Sequence, residues 1–271
     1  MSVLLDAGPS ERGWSFFEAA SRCMRLWAWK NLGSMERHTS DALVKGSLFH
    51  IGLAHHYQLK LTPDADLLQP EQAIYALAEK EGGDLWSKHA EKIVEAVDAY
   101  IEHYKECSWK VIAVEKELRA RIPPKGRSGV SAFLYTQRVD LIVEDVHGKV
   151  WLVDHKSCYR ITGKTLRQHI LSGQFLGYQV FGQKMYGDRF AGVIVNRMKL
   201  SSAYDFDRCA LEPAPSAVAG FVPMLRTIEK KIQDHSHLTD PLEYTPVFSD
   251  QVCFGKYGQC PAFDLCRWGG E

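Results

Sequence analysis

The spacing of apolar residues changes character near residue 110. Before it, hydrophobic positions recur at helical intervals and predict helices over Ser15–Leu32, Asp41–Leu59 and Glu71 to about Glu106, the last broken or kinked at Gly82-Gly83. After it, Val111–Ile122 alternates apolar and charged residues as a half-buried strand does, with Glu115 and Glu117 on one face. A turn over Pro123–Ser128 and the stretch Val130–Thr136 lead to two short apolar runs, Val139–Val143 and Val150–Val153, on either side of the polar break Glu144–Lys149. This pattern predicts a β-hairpin with Gly148 in a positive-φ position. With Val146, His147 and Gly148 as its loop, Asp145 pairs with Lys149 and Asp140 falls opposite Asp154. The period of two then sets Asp154 and Lys156 on the same face.

Downstream, Leu166–Met185 reads as a helix ending near Tyr186, despite three internal glycines. Phe190–Asn196 and Ser202–Phe206 read as further strands, and Ala217–Asp234 as an amphipathic helix. No repeat, low-complexity tract or long linker divides the chain, so a single domain over residues 1–271 is expected.

Composition narrows the class. Hydrophobic residues make up 45% and charged residues 24%, the values of an ordinary globular protein. With 33 basic and 33 acidic residues there is no global field to attract nucleic acid, so any DNA binding must use a local groove. The N-terminus lacks the pattern of a signal peptide and no run is long enough to span a bilayer. The expectation is a cytoplasmic protein with no membrane partner. Seven cysteines, three of them crowded near the C-terminus, do not form a secreted disulfide pattern and point to metal binding.

The candidate chemistry gathers on the hairpin. Two carboxylates, Asp140 and Asp154, and the Lys156 ammonium would converge on one patch. Such a patch makes sense if a divalent metal sits between the acids while the lysine serves a nucleophile or phosphate. Asp154 follows the apolar Trp151-Leu-Val153, and a buried carboxylate needs a partner or a metal. Gly46 and His50 share one helix face, as do Gln174 and Tyr178, whose amide and phenol could bind a phosphate or a metal-bound water. His55 and His56 read as surface or DNA-facing residues. In the tail, Cys253, Cys260 and Cys266 form a metal-site pattern lacking one ligand, with Cys23, Cys107, Cys158 and Cys209 as candidates for the fourth.

In this order, Gly46-x-x-x-His50, Gln137-Arg-Val-Asp140, Asp154-His-Lys156 and Gln174-x-x-x-Tyr178 resemble the PD-(D/E)xK nuclease superfamily, specifically its RecB-like branch. The cysteines extend the resemblance to the AddB-type and CRISPR-associated RecB-like nucleases, although Cys253-x6-Cys260 is longer than their usual C-x-x-C. The resemblance implies an α/β, restriction-endonuclease-like fold with a mixed central sheet flanked by helices. It divides the domain into a helical part of about 11–108, a nuclease core of about 109–235 and a Cys-rich tail, 236–271, closing on Cys23. It further implies that His50, Asp140 and Asp154 bind Mg²⁺ or Mn²⁺, helped by the carbonyl of His155. Lys156 would orient or deprotonate the attacking water, and Gln174 and Tyr178 would hold the strand or the metal shell, with Glu117 a lesser candidate. Cys23, Cys253, Cys260 and Cys266 would hold a [4Fe-4S] cluster, or zinc as the alternative. The implied activity is metal-dependent exonucleolytic cleavage of single-stranded or duplex DNA in processing, recombination or repair. The competing reading is a non-catalytic DNA-binding accessory module on the same fold.

Overall fold

In the computed structural model of the chain, which describes residues 3–6, 8, 10–33, 35, 39–124, 129–200, 203–255 and 258–268, the hairpin has the predicted register. Strands β2 (Phe133–Glu144) and β3 (Val150–Cys158) pair antiparallel with Leu141 across from Val153, which sets Asp140 across from Asp154. Asp145 N–H donates to the Lys149 carbonyl at 2.9 Å, and Gly148 adopts φ +73°. The Asp145 carboxylate locks the turn by accepting from the His147 and Lys149 amides at 2.8 and 3.0 Å and from the Trp151 indole at 2.9 Å.

The hairpin is the centre of a five-stranded sheet ordered β1-β2-β3-β4-β5, with β1 at Lys110–Ile122, β4 at Phe190–Lys199 and β5 at Asp205–Leu211. Strand β4 runs parallel to β3 and β5 antiparallel to β4, which makes the sheet mixed. A parallel pair needs a crossover, and here it carries two helices, Gly163–Ile170 and Gly173–Tyr186. N-terminal to the sheet, helices span Asp41–Leu61, Pro70–Glu81 and Asp84–His103, with positive φ at Gly82 and Gly83 separating the last two. Numbered after two short N-terminal helices, α1 (Trp14–Arg22) and α2 (Met24–Asn31), these three are α3–α5 and the crossover pair is α6 and α7. Successive β3 residues face opposite ways. Asp154 meets Tyr178 of α7, whereas His155 stacks on Tyr57 of α3 at 5.8 Å and meets Tyr100 of α5 edge-on. The expected mixed sheet flanked by helices is therefore present. Leu48, Ile51 and Leu53 of α3, Ile74, Ile93 and Val97 of α4 and α5, and Leu141, Val143 and Val153 of the hairpin are fully buried in one core.

The chain folds as two compact units whose segments interleave: Met1–Ser10, Thr39–Leu118 and Gln137–Val218 in one, and Glu11–His38, Arg119–Thr136 and Ala219–Glu271 in the other. The first holds α3–α7 and most of the sheet. The second holds α1, α2, most of α8 (Pro215–Asp234) and the tail, with α9 (Asp250–Cys253), a two-residue ladder β6–β7 (Phe254–Gly255, Gly258–Gln259) and α10 (Phe263–Trp268). Its core is aromatic: Phe17 lies 5.9 and 5.5 Å from Phe133 and Tyr135, and Tyr135 lies 5.6 Å from Phe221. Buried Glu229 is satisfied by Arg12 at 2.7 Å. Among the described residues, no helix is long and apolar enough to cross a membrane.

Three expectations need correction. The helix predicted over Ser15–Leu32 is interrupted at Cys23, whose extended backbone (φ −162°, ψ 122°) ends α1 and begins α2. The break turns the thiol inward, where it is buried against Leu26 and Ala262. The helix predicted over Leu166–Met185 likewise divides, with Ser172 extended ahead of α7. His55 is fully buried rather than surface-facing: its Nδ1 donates to the Leu68 carbonyl at 2.9 Å and its Nε2 accepts from Leu5 N–H at 3.1 Å. Residues 125–128 of the predicted turn, 256–257 of the tail and Ser202, the first residue of the last predicted strand, lie outside the described residues.

Candidate active site

The hairpin register brings the first carboxylate to the sheet's neighbours. Asp140 Oδ2 accepts the His155 amide N–H at 2.7 Å and lies 3.3 Å from Nδ1 of His50, carried on α3. Glu115 of β1 completes a group in which one ligand atom each from His50, Glu115 and Asp140 lie within 4.8 Å of one another. The Glu115 backbone is left-handed, φ +46°, inside a strand. That conformation costs a non-glycine residue about 1–2 kcal/mol and breaks the strict alternation of the strand. Burial, then the neighbouring Asp140 charge, pushes the Glu115 carboxyl up to about 9. Burial also lifts Asp140 to about 6, opposed by His50 and reinforced by Asp154.

The second carboxylate is Asp154, which has no exposed surface. Its Oδ1 accepts from Gln174 Nε2 at 2.8 Å and lies 3.3 Å from the Tyr178 hydroxyl, which donates to the Arg138 carbonyl at 2.5 Å. Its Oδ2 is 2.6 Å from Lys156 Nζ but, among the described residues, is the end-point of no well-aligned hydrogen bond. Desolvation would depress the lysine, yet the Asp154 and Asp140 charges outweigh it and hold the ammonium above its ordinary value. The position of Gln174 depends on a close approach. A Cβ on Gly177 would lie 2.6 Å from the amide of Gln137, which donates to the Gln174 carbonyl at 2.8 Å.

His155 takes another part. Its ring is buried, and desolvation keeps it neutral, well below the usual histidine range. Asn196 donates to its Nδ1 at 2.7 Å and to the Tyr100 hydroxyl at 2.7 Å. Arg208 binds the Tyr57 and Tyr100 hydroxyls at 3.1 and 2.8 Å while stacking 3.4 Å from the Tyr104 ring centre. This network fixes the peptide that holds Asp140.

Of the residues singled out in sequence, His50 and Asp140 come together, as do Asp154, Lys156, Gln174 and Tyr178. The His155 side chain faces away from Asp154 and Lys156, against Tyr57 and edge-on to the His50 ring at 6.2 Å. Glu115, rather than Glu117, joins the metal-competent group. Strand alternation marks both glutamates, but the left-handed backbone that re-aims Glu115 has no sequence signature. Asn196 and Arg208 carry none either. Two carboxylates, an imidazole and a buried oxygen without an aligned donor fit a hard divalent cation. Burial first, and neighbouring negative charge second, raise the Glu115 and Asp140 carboxyls, a cost that a cation would relieve.

A separate cluster lies in the second unit. Cys23, Cys253, Cys260 and Cys266 all line a cavity of about 240 Å³ whose other walls include Leu26, Val252 and Phe263. Burial raises the Cys266 thiol, with Cys23, Cys260 and Cys253 adding to the effect. Among the described residues, no three of these sulfurs fall within 4.8 Å of one another. The remaining cysteines sit elsewhere: Cys107 accepts from Arg208 at 3.1 Å, Cys209 donates to Asp207 at 3.1 Å, and Cys158 ends β3.

This arrangement of carboxylates, lysine and glutamine–tyrosine pair on a mixed sheet defines a nuclease-like site. The chain belongs to the PD-(D/E)XK nuclease superfamily, whose family model matches residues 14–267. The fold is similar to that of a proposed exonuclease from Eubacterium rectale, with a TM-score of 0.54 and 15% identity over 94% of this chain and 86% of that one. A second solved structure, SSO0001, overlaps at a TM-score of 0.33 with 12% identity over 78% of this chain and 85% of that one, too loosely to bear on the fold. No curated protein matches the chain.

Proposed function

We propose that the protein is a divalent-metal-dependent DNA exonuclease of the RecB-like branch, acting on DNA ends in cytoplasmic processing, recombination or repair. The observation that carries this reading is the pair of carboxylates, half-buried Asp140 and fully buried Asp154, across one hairpin with Lys156 2.6 Å from the second. His50, Glu115, Asp140 and Asp154 would hold Mg²⁺ or Mn²⁺. When bound, the ion would polarise the phosphodiester and acidify a coordinated water. Lys156 orients that water and offsets charge building on the phosphate. Gln174 and Tyr178 fix Asp154 from the opposite side, so its second oxygen keeps its aim. A binding module has no use for buried acids beside a polyanion, which favours catalysis over the accessory reading.

The four cysteines are assigned to a [4Fe-4S] cluster that staples the second unit. That all four cysteines line one cavity supports a shared metal group, with zinc as the alternative occupant.

The exonuclease assignment is tested with linear and covalently closed circular DNA in Mg²⁺ and in Mn²⁺, using Asp154→Ala as the control. The expected result is degradation of linear DNA, intact circles and an inert variant. Nicking or linearisation of circles by the wild type alone would replace the exonuclease assignment with an endonuclease.

A further inference from the structure

The 33 residues from His155 to Gly187 contain no aspartate or glutamate, whereas the chain's average acidic density would place about four there. The same stretch carries Lys156, Arg160, Lys164, Arg167 and Lys184, so a protein of zero net charge concentrates five positive charges in the crossover beside its candidate active site. Arg160, Lys164, Arg167 and Lys184 are exposed, and among the described residues none of them forms an ion pair. Helix α6 buries no residue at all. It is tied to the site through Phe175, whose ring lies 5.7 Å from Lys156 Nζ and 5.2 Å from the His169 ring.

An aromatic residue stands at the start of this surface. Tyr159, three residues past Lys156 and therefore within about 10 Å of it along the chain, is 80% exposed. The Arg160 guanidinium lies 5.5 Å from its ring centre. The exposed ring with a guanidinium beside it offers a flat face and a cation side by side, the pairing that a base and its phosphate would engage.

Resting on the nuclease reading above, we infer that the segment from Tyr159 to Leu171 is the docking track for single-stranded DNA. Tyr159 stacks on an unpaired base next to the scissile phosphate, and Arg160, Lys164 and Arg167 follow the backbone. A single strand is the fitting occupant because a duplex hides its base faces, whereas an exposed ring flanked by unpaired cations can engage both base and phosphate of one strand. The surface thereby sets strand preference, apart from the metal site.

The test is binding of fluorescein-labelled (dT)20 and of a 20-base-pair duplex to the full chain by anisotropy in EDTA, where no cleavage occurs. Tyr159→Ala should weaken (dT)20 binding roughly tenfold or more, leave duplex binding unchanged, and be rescued by Tyr159→Phe. The triple variant Arg160→Ser/Lys164→Ser/Arg167→Ser should flatten the salt dependence of single-strand binding by about two in log–log slope. Both sets change exposed side chains, so folding is preserved. Wild-type preference for duplex, unchanged (dT)20 binding by Tyr159→Ala, or equal losses on both ligands would overturn the inference. Metal-dependent cleavage by the wild type reports on the nuclease reading separately. A wild type that cuts DNA while Tyr159→Ala binds normally sinks this inference alone, and a wild type that neither cuts nor binds sinks both.

Discussion

Glu115 should be a residue that the metal-free protein is better off without. Its carboxyl is pushed to about 9 from an ordinary 4.5, first by burial and then by Asp140, whose ligand atom lies within 4.8 Å. At an effective dielectric of about 20, two charges at that distance repel by about 3 kcal/mol, roughly two pH units. The sign follows from proton linkage. The folded state holds this proton more tightly than the unfolded chain, so the contribution of Glu115 to stability is intact below about pH 4.5 and is lost progressively up to about pH 9. Glu115→Gln removes that dependence. In EDTA at pH 7 the variant should therefore be more stable than wild type, by on the order of 2–3 kcal/mol, with the advantage vanishing towards pH 4.5. Metal binding should show the mirror image. Wild-type affinity for Mn²⁺ should rise about tenfold per pH unit between about pH 6.5 and 8.5 as the ion displaces the Glu115 proton. The variant should bind more weakly and nearly independently of pH there, since Asp140 has already titrated near 6. Urea unfolding in EDTA and calorimetric Mn²⁺ titration across that range measure both effects. A variant less stable than wild type in EDTA at pH 8, or one that keeps the wild-type pH slope for Mn²⁺, would refute the assignment of Glu115 as a crowded metal ligand.

Further outcomes follow from the geometry. Gly177→Ala drives a Cβ to 2.6 Å from the Gln137 amide and should cost about 1–3 kcal/mol of stability in thermal melts, while lowering turnover through the displaced Gln174; a variant with wild-type stability and rate would show that Gln137 moves aside freely. Protein purified without oxygen should be brown, absorbing at roughly 400 nm, and Cys266→Ser should bleach it and lower the melting temperature; a colourless preparation with stoichiometric zinc would exchange the cluster for zinc.

The hairpin was the most legible part of the chain. Its register follows from a period of two and one glycine, and those local rules suffice to set Asp140 across from Asp154 and Lys156 beside it. The helical pairs Gly46–His50 and Gln174–Tyr178 were readable for a similar reason, since four-residue spacing survives in any helix. What could not be read depends on tertiary contacts. The break at Cys23 comes from packing against Leu26 and the distant Ala262, the burial of His55 from two partners outside its helix, and the aim of Glu115 from a backbone conformation that glutamate does not prefer. Asn196 reaches His155, and Arg208 the Tyr57 and Tyr100 hydroxyls that pack on it, only because β5 and β4 pair beside β3, a neighbour order that no local pattern encodes.

The most direct measurement is cleavage of 5′- and 3′-end-labelled DNA by wild type and Lys156→Ala in Mg²⁺, in Mn²⁺ and in EDTA. The account predicts degradation by wild type with either metal, none in EDTA, and none by a Lys156→Ala protein whose circular dichroism and melting match a folded chain. Wild-type-like cleavage by Lys156→Ala, or by the wild type in EDTA, would contradict it.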